Sequence, residues 1–297
     1  MQSFSRGWSF LKQAWGMAFK DKDLLKPSLY ALVVGGIVTV IGIIPIAVAA
    51  FLFGESDTGN IILAAMGAVL MFVQFVVTYI FSGMTTYLIY GYLTKGDGRM
   101  DHAWAIVKRD FFDILTLAAA STAVGLIRNA ANRNRRGGMA AGFARQATGL
   151  LETLWTEAAA LVLPAMIIDD LNLKDGLGRV WKITKENLLL IGISTVGVKF
   201  VTGLIGFVFG LIGLVIAFGV GGAFSLAGNM TVTIVGIVIG AIIFFAFVMV
   251  ASVFSSYTNT AYHTCLYIWA KEVEQATADG KAPAQAQAPA PLAAALT

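Results

Sequence analysis

The chain is poor in three things: it has one cysteine, Cys265, two histidines, His102 and His263, and only 13% charged residues in a length of 297. A single cysteine excludes a disulfide framework. Two histidines leave little material for a metal or acid–base centre, and no nucleophile, base or ligand set falls at a convincing spacing. His263 and Cys265 stand two apart, so on a helix they point in different directions and do not share a metal. The shortage of charge, set beside 58% hydrophobic residues, excludes a soluble enzyme, a nucleic-acid reader and a disordered chain, because none of these keeps so much apolar sequence in water. The composition is that of a multi-pass membrane protein.

The net charge of +4 comes from 21 basic residues, which fall in clusters between the apolar runs. This distribution points to loops that flank membrane helices and touch anionic lipid headgroups, and nucleic acid is not expected as a partner. Four apolar runs, at about 29–53, 61–93, 200–219 and 232–254, cover the ~20 residues that a hydrocarbon core requires. Two weaker runs, 111–127 and 149–168, carry Asp113 in one and Glu152, Glu157 and Pro164 in the other. Runs of this kind are helices, since no short alternating barrel segments occur. The expected fold class is an all-α polytopic membrane bundle of about six helices. Some 28 polar or amphipathic residues precede the first run, too many for a cleaved signal peptide.

Within that leading segment Phe4, Trp8, Leu11, Trp15 and Ala18 recur at helical spacing. Such a stripe fits a helix lying in the membrane interface, and equally an ordinary helix packed on the bundle. A weak motif recurs three times near the entrance to apolar runs: Trp8 to Lys12 ahead of Asp23, Trp104 and Lys108 ahead of Asp110, and Trp181 and Lys185 ahead of Asn187. In each copy Trp and Lys anchor at headgroup level, Trp15 adding to the first, and Asp or Asn is placed to cap the entering helix. Three hairpins, each preceded by a cytoplasmic interfacial amphipathic helix, are therefore expected in one membrane domain of residues 1–275, as units 3–93, 101–170 and 176–270. The Ala/Pro-rich stretch 276–297 is expected to be a flexible cytoplasmic tail. Basic loops place both termini in the cytoplasm, with Glu55 and Asp57 outside; the arginine-rich tip, Arg128, Arg133, Arg135 and Arg136, conflicts with that pattern if the middle hairpin crosses rather than dips.

The opening Ser3-Phe4-Ser5-Arg6-Gly7-Trp8, followed by Lys12, Trp15, Asp21-Lys22-Asp23-Leu24-Leu25 and Pro27, resembles that of an uncharacterised family of prokaryotic multi-pass integral membrane proteins. The Gly96-Asp97-Gly98 loop, Val162-Leu163-Pro164 before an acidic pair, and residues 262–270 are similar to later landmarks of that family. The resemblance implies a prokaryotic inner membrane and no assigned activity. Gly96-Asp97-Gly98 itself is a turn rather than a phosphate loop, since no Lys-Ser/Thr follows it.

Polar residues within apolar runs are costly and therefore informative. Gln74, Thr78, Ser82 and Thr85 share one helix face, and Ser252, Ser256, Asn259 and His263 share another. They serve as interhelical seams, on the order of 1 kcal/mol each, or line an aqueous path. Lys199 lies ~18 Å along a helix from Asn187, and Glu157 is equally far from Asp169. These two charges meet near the midplane if their helices are neighbours; alternatively 200–219 spans alone and Lys199 snorkels to the interface. No catalytic residue, cofactor or metal is expected. The expected function is a non-enzymatic scaffold or assembly component that self-associates or joins other membrane subunits, with a channel or transporter as the alternative.

Overall fold

The computed structural model describes the backbone of residues 2–54, 56–133, 139–226, 229–282 and 285–296, and the side chains of these except at 2–3, 133, 139–144, 184, 186–200 and 296. Among the described residues every regular element is helical: α1 (Gln2–Lys20), a 3-10 turn (Lys22–Leu24), α2 (Lys26–Phe53), α3 (Asp57–Lys95), α4 (Met100–Arg109), α5 (Phe111–Arg133), α6 (Met139–Asp169), α7 (Leu173–Ser225), α8 (Met230–Ala278) and α9 (Ala290–Leu296). Six segments, within the 3-10 turn and α2, α3, α5, α6, α7 and α8, are long and apolar enough to cross a membrane. The four strong and two weak apolar runs of the sequence fall on these six, as an integral membrane protein requires.

Local chemistry sets several boundaries. Pro27 occupies the first turn of α2, where a missing amide donor costs nothing. Ser56 caps α3 by accepting the Gly59 amide at 2.9 Å, and Gly96 ends that helix at φ 77, a left-handed conformation that glycine adopts without penalty. Asn172 caps α7 by accepting the Asp175 amide at 3.0 Å, and Asn229 caps α8 through the Thr231 amide. Between α6 and α7 the chain turns at Asp170, whose φ of 54 is tolerated by Asp better than by most residues.

Consecutive helices α2 and α3, α5 and α6, and α7 and α8 pack on each other, while α3 also touches α4, α5, α6 and α8. Side chains divide the molecule along its length. Large apolar residues of α2, the first half of α3, the second half of α7 and the first half of α8 are exposed, among them Ile37, Phe51, Ile61, Phe207, Phe218, Ile237 and Phe245. The buried core gathers at the other end, hereafter the near end, where Phe10, Leu11, Leu24, Leu88, Ile89, Ile114, Leu117, Val162, Met166, Tyr257, Tyr262 and Leu266 pack together. An apolar belt open to its surroundings and a protein-filled end is the arrangement expected when lipid solvates one part and neighbouring helices the other. The weak runs, α5 and α6, are the most enclosed of the six, which is why they carry charge.

Several expectations are corrected. Residue 187 stands at no helix start: α7 is continuous from Leu173 to Ser225, about 80 Å at helical rise, so no break separates a third interfacial helix from its span. Asp23 is not a cap either; Asp21 accepts the Asp23 amide at 3.0 Å and holds the 3-10 turn. Asp110 joins α4 to α5, but its carboxylate is held by Arg109. The α1 stripe divides, with Leu11 and Ala18 fully buried and Phe4 and Trp8 exposed, and Phe10, Ala14 and Met17 complete the buried face. Helix α8 runs past residue 276 to Ala278, and α9 follows; α9 packs on α1 and buries Leu292 and Ala295. Its Pro-Leu-Ala-Ala-Ala-Leu sequence supplies helix formers and a small apolar face. Glu55, Arg135, Arg136 and Gly137, and the side chains of Arg133, Asn187 and Lys199, lie outside the described residues.

Candidate functional site

Several polar residues of the spans are drawn into helix–helix bonds. Gln74 of α3 donates its Nε2 to the carbonyl of Gly35 at 2.8 Å and to Thr39 Oγ1 at 2.6 Å, both on α2. Thr39 in turn donates to the same Gly35 carbonyl, so a glycine without Cβ lets three polar groups converge between two helices. Ser121 of α5 forms a second node: Tyr79 Oη of α3 lies 2.7 Å from its hydroxyl, and Trp155 Nε1 of α6 donates to it at 2.8 Å. Thr264 of α8 reaches Thr86 of α3 at 3.3 Å. Of the remaining stripe residues, Thr78 is exposed and bonds back to the Gln74 carbonyl, Ser82 is half-buried, and Thr85 is buried on the Phe81 carbonyl.

His263 is buried on α8. Its Nδ1 lies 2.8 Å from the carbonyl of Asn259, and its Nε2 lies 3.4 Å from Glu157 Oε2 of α6. Asn259 itself is exposed and takes part through its backbone. Glu157 and His263, assigned to separate constellations by sequence spacing, are thus brought together. Glu152, the other acid of this run, pairs with Arg128 of α5, which compensates two charges where α5 and α6 meet at the far end.

At the near end stands a network that sequence spacing did not show. Asp169, the last residue of α6, accepts Tyr267 Oη at 2.5 Å and also Lys271 Nζ, both from α8. Glu274, one turn further along α8, pairs with Arg179 of α7 and lies 3.5 Å from Lys182 Nζ. Three helices are therefore joined by alternating charges in a place neither fully wet nor dry. A second cluster lies where α4 turns into α5. Arg109 Nε contacts Asp110 Oδ1 at 2.6 Å, and its Nη2 lies 3.3 Å from Asp170. Burial pushes the Asp110 carboxyl above the usual carboxylate value, even though the Arg109 guanidinium beside it acts in the opposite direction. The acidic pair 169–170 was visible in the sequence; the partners of Asp169, 98 and 102 residues away, and Arg109, the partner of Asp170, carry no local signal.

The residues expected at the headgroup level behave differently from one another. Trp8, Trp104 and Trp181 are exposed, as are Lys12 and Lys185, and Lys108 Nζ sits 5.5 Å from the Trp104 ring centroid in a cation–π contact. Trp15 instead packs its ring against Phe254 with centroids 4.9 Å apart and donates to Thr258 Oγ1 at 2.9 Å. It fastens α1 to α8. Tyr257 strengthens that junction, donating to the Ala14 carbonyl at 2.9 Å.

Two pairs of glycines four residues apart lie in the long helices, Gly206 and Gly210 in α7 and Gly236 and Gly240 in α8, and the second pair lies against α7. A Cβ on Gly236 would collide with Phe224, and one on Gly240 would stand 2.6 Å from the Ala217 carbonyl oxygen. Among the described residues, Gly206 and Gly210 have no neighbour beyond their own helix backbone within 4 Å of the place a Cβ would take.

No family model matches the chain, and no curated protein matches it.

Proposed function

We propose that this is a non-enzymatic scaffold or assembly component of a prokaryotic cytoplasmic membrane, with both termini in the cytoplasm and the ability to self-associate or join other membrane subunits. The observation that carries this reading is the use of Gln74, Tyr79, Ser121 and Trp155 as bonds between helices of the same chain. Groups occupied in this way hold a bundle together. The exposed Trp8, Trp104 and Trp181, with Lys12, Lys108 and Lys185, are suited to headgroup contact. The three-unit reading is supported in its first two parts by α1 preceding the α2–α3 pair and α4 preceding the α5–α6 pair; in the third, the interfacial segment is the opening of α7. The family resemblance, carried by residues 3–27 and by the later landmarks at 96–98, 162–164 and 262–270, belongs to the same reading.

Glu157 beside buried His263 favours one second reading, an ion or proton path, and the channel or transporter alternative rests on it. Reconstitution into vesicles with a pH-sensitive dye separates the two. A scaffold gives no proton or solute flux and a discrete oligomer or partner complex in native mass spectrometry. Flux that disappears in Glu157→Gln, with the protein still folded, overturns the scaffold. Topology is tested independently: six crossings expose a cysteine placed at Gly137 to impermeant maleimide from outside the cell, and labelling only after lysis overturns that arrangement.

A further inference from the structure

Between the start of α2 and the middle of α8 runs an open groove of about 580 Å³, within the ~300–1,000 Å³ range of ligand clefts. Leu25, Leu29 and Leu32 form one wall, and Met249, Val250 and Phe254 form much of the other. These walls are almost wholly apolar and lie at the edge of the exposed belt, so a hydrocarbon chain is their natural solvent. The mouth differs. Lys22 and Lys26 stand there, at the very start of the first span. Lys26 is paired with Asp23 at 2.6 Å, and the Asp21 carboxylate accepts the amides of Asp23 and Gly98. Lys22 is exposed and has no ion pair among the described residues. An apolar slot that opens on an exposed ammonium without an ion pair among the described residues matches a molecule with a fatty chain and an anionic phosphate.

We propose that this groove is a binding site for one anionic glycerophospholipid, its acyl chain lying between α2 and α8 and its phosphate at Lys22 and Lys26. A neutral lipid offers the same chain but balances its own phosphate, so charge is the discriminating element. A hydrophobic helix from another protein would fill the slot without using the lysines. The site goes beyond the scaffold reading and is tested without reference to flux or oligomeric state.

The full chain in neutral detergent is challenged with dioleoyl phosphatidylglycerol or dioleoyl phosphatidylcholine, and retained lipid is counted by native mass spectrometry. The wild type is expected to retain the anionic lipid roughly tenfold better, the Lys22→Gln/Lys26→Gln variant to lose that preference, and Ala246→Trp, which fills the groove, to lose retention of both. Equal retention of the two lipids by the wild type overturns the site, and so does a preference that survives the double variant. If Ala246→Trp does not fold, a bimane on Leu29→Cys reports instead. Brominated-chain phosphatidylglycerol should quench it at a lower mole fraction than the brominated phosphatidylcholine; equal quenching, or quenching only by a second protein chain carrying a quencher, overturns the proposal.

Discussion

Tyr267 Oη donates to Asp169 across 98 residues of sequence at 2.5 Å, so the last residue of α6 is fixed to the part of α8 that lies beyond the apolar belt. The same carboxylate holds Lys271. Removing the hydroxyl with Tyr267→Phe should cost about 1–2 kcal/mol, and Asp169→Asn more, since it also leaves a lysine without its partner. A double-mutant cycle read by thermal unfolding in detergent should show non-additivity between the two positions. Strict additivity would mean that the bond adds nothing to stability.

The α2–α3 seam gives a smaller, well-defined effect. Gln74→Leu deletes both bonds to Gly35 and Thr39 but fits membrane composition. A loss of about 0.5–2 kcal/mol is expected, measured by denaturant titration in micelles, with no change in helical content.

Glycines in α7 and α8 should respond oppositely. Gly240→Val places atoms against the Ala217 backbone, which cannot move aside without parting the two helices, and a substantial fall in melting temperature is expected. Gly210→Val meets open space within the chain and should leave the monomer unaffected. If α7 also forms the self-association surface, Gly210→Val will reduce the oligomer seen in native mass spectrometry while melting of the monomer stays constant.

Asp110 makes a pH prediction. Its carboxyl titrates above the usual carboxylate value because it is buried. The folded state therefore binds a proton more readily than the unfolded one, and the stabilisation by that proton is complete below the unfolded value and lost as pH rises through the raised folded value. Acidification through that window should protect the α4–α5 junction in hydrogen exchange, and Asp110→Asn should abolish the response. Persistence of the response in the Asn variant would assign it to another acid.

The docking of α9 is open to a direct test. Leu292 is fully buried against a helix whose own inward face includes Phe10, Leu11 and Ala14. Leu292→Asp should release α9, with a loss of about 1.5–3 kcal/mol from the burial of one leucine, and truncation at residue 279, which removes α9, should uncover the same face of α1. Faster amide exchange in residues 10–18 is the expected signature.

How much of this was legible from residue order depends on the range of the force involved. The six spans were visible because 20-residue apolar runs are a local property, and the Gln74 stripe was visible because helical periodicity is local too. Asn187 misled for the same reason: an Asn ahead of an apolar run has the form of a cap, yet nothing between Leu173 and Ser225 breaks the helix, and the cap that forms is Asn172, at the true start. The Asp169, Tyr267 and Lys271 network, the Ser121 node and the Glu157–His263 approach depend on which helices become neighbours. No spacing rule contains that information. Trp15 resembled Trp8 in every sequence respect, and only the position of Thr258 and Phe254 separates a packed indole from an exposed one.

The bond from the Gly98 amide to Asp21, 2.9 Å long, joins the residue after the first helix to the loop after the third. A side chain would be crowded at that point, since a Cβ on Gly98 would lie 3.0 Å from the carboxylate and 3.2 Å from the Leu88 carbonyl oxygen. The clasp encircles 77 residues and includes nothing synthesised later. As the ribosome lengthens the chain, the first two spans can close on themselves as soon as position 98 has emerged, giving the membrane a finished piece against which every later helix is fitted.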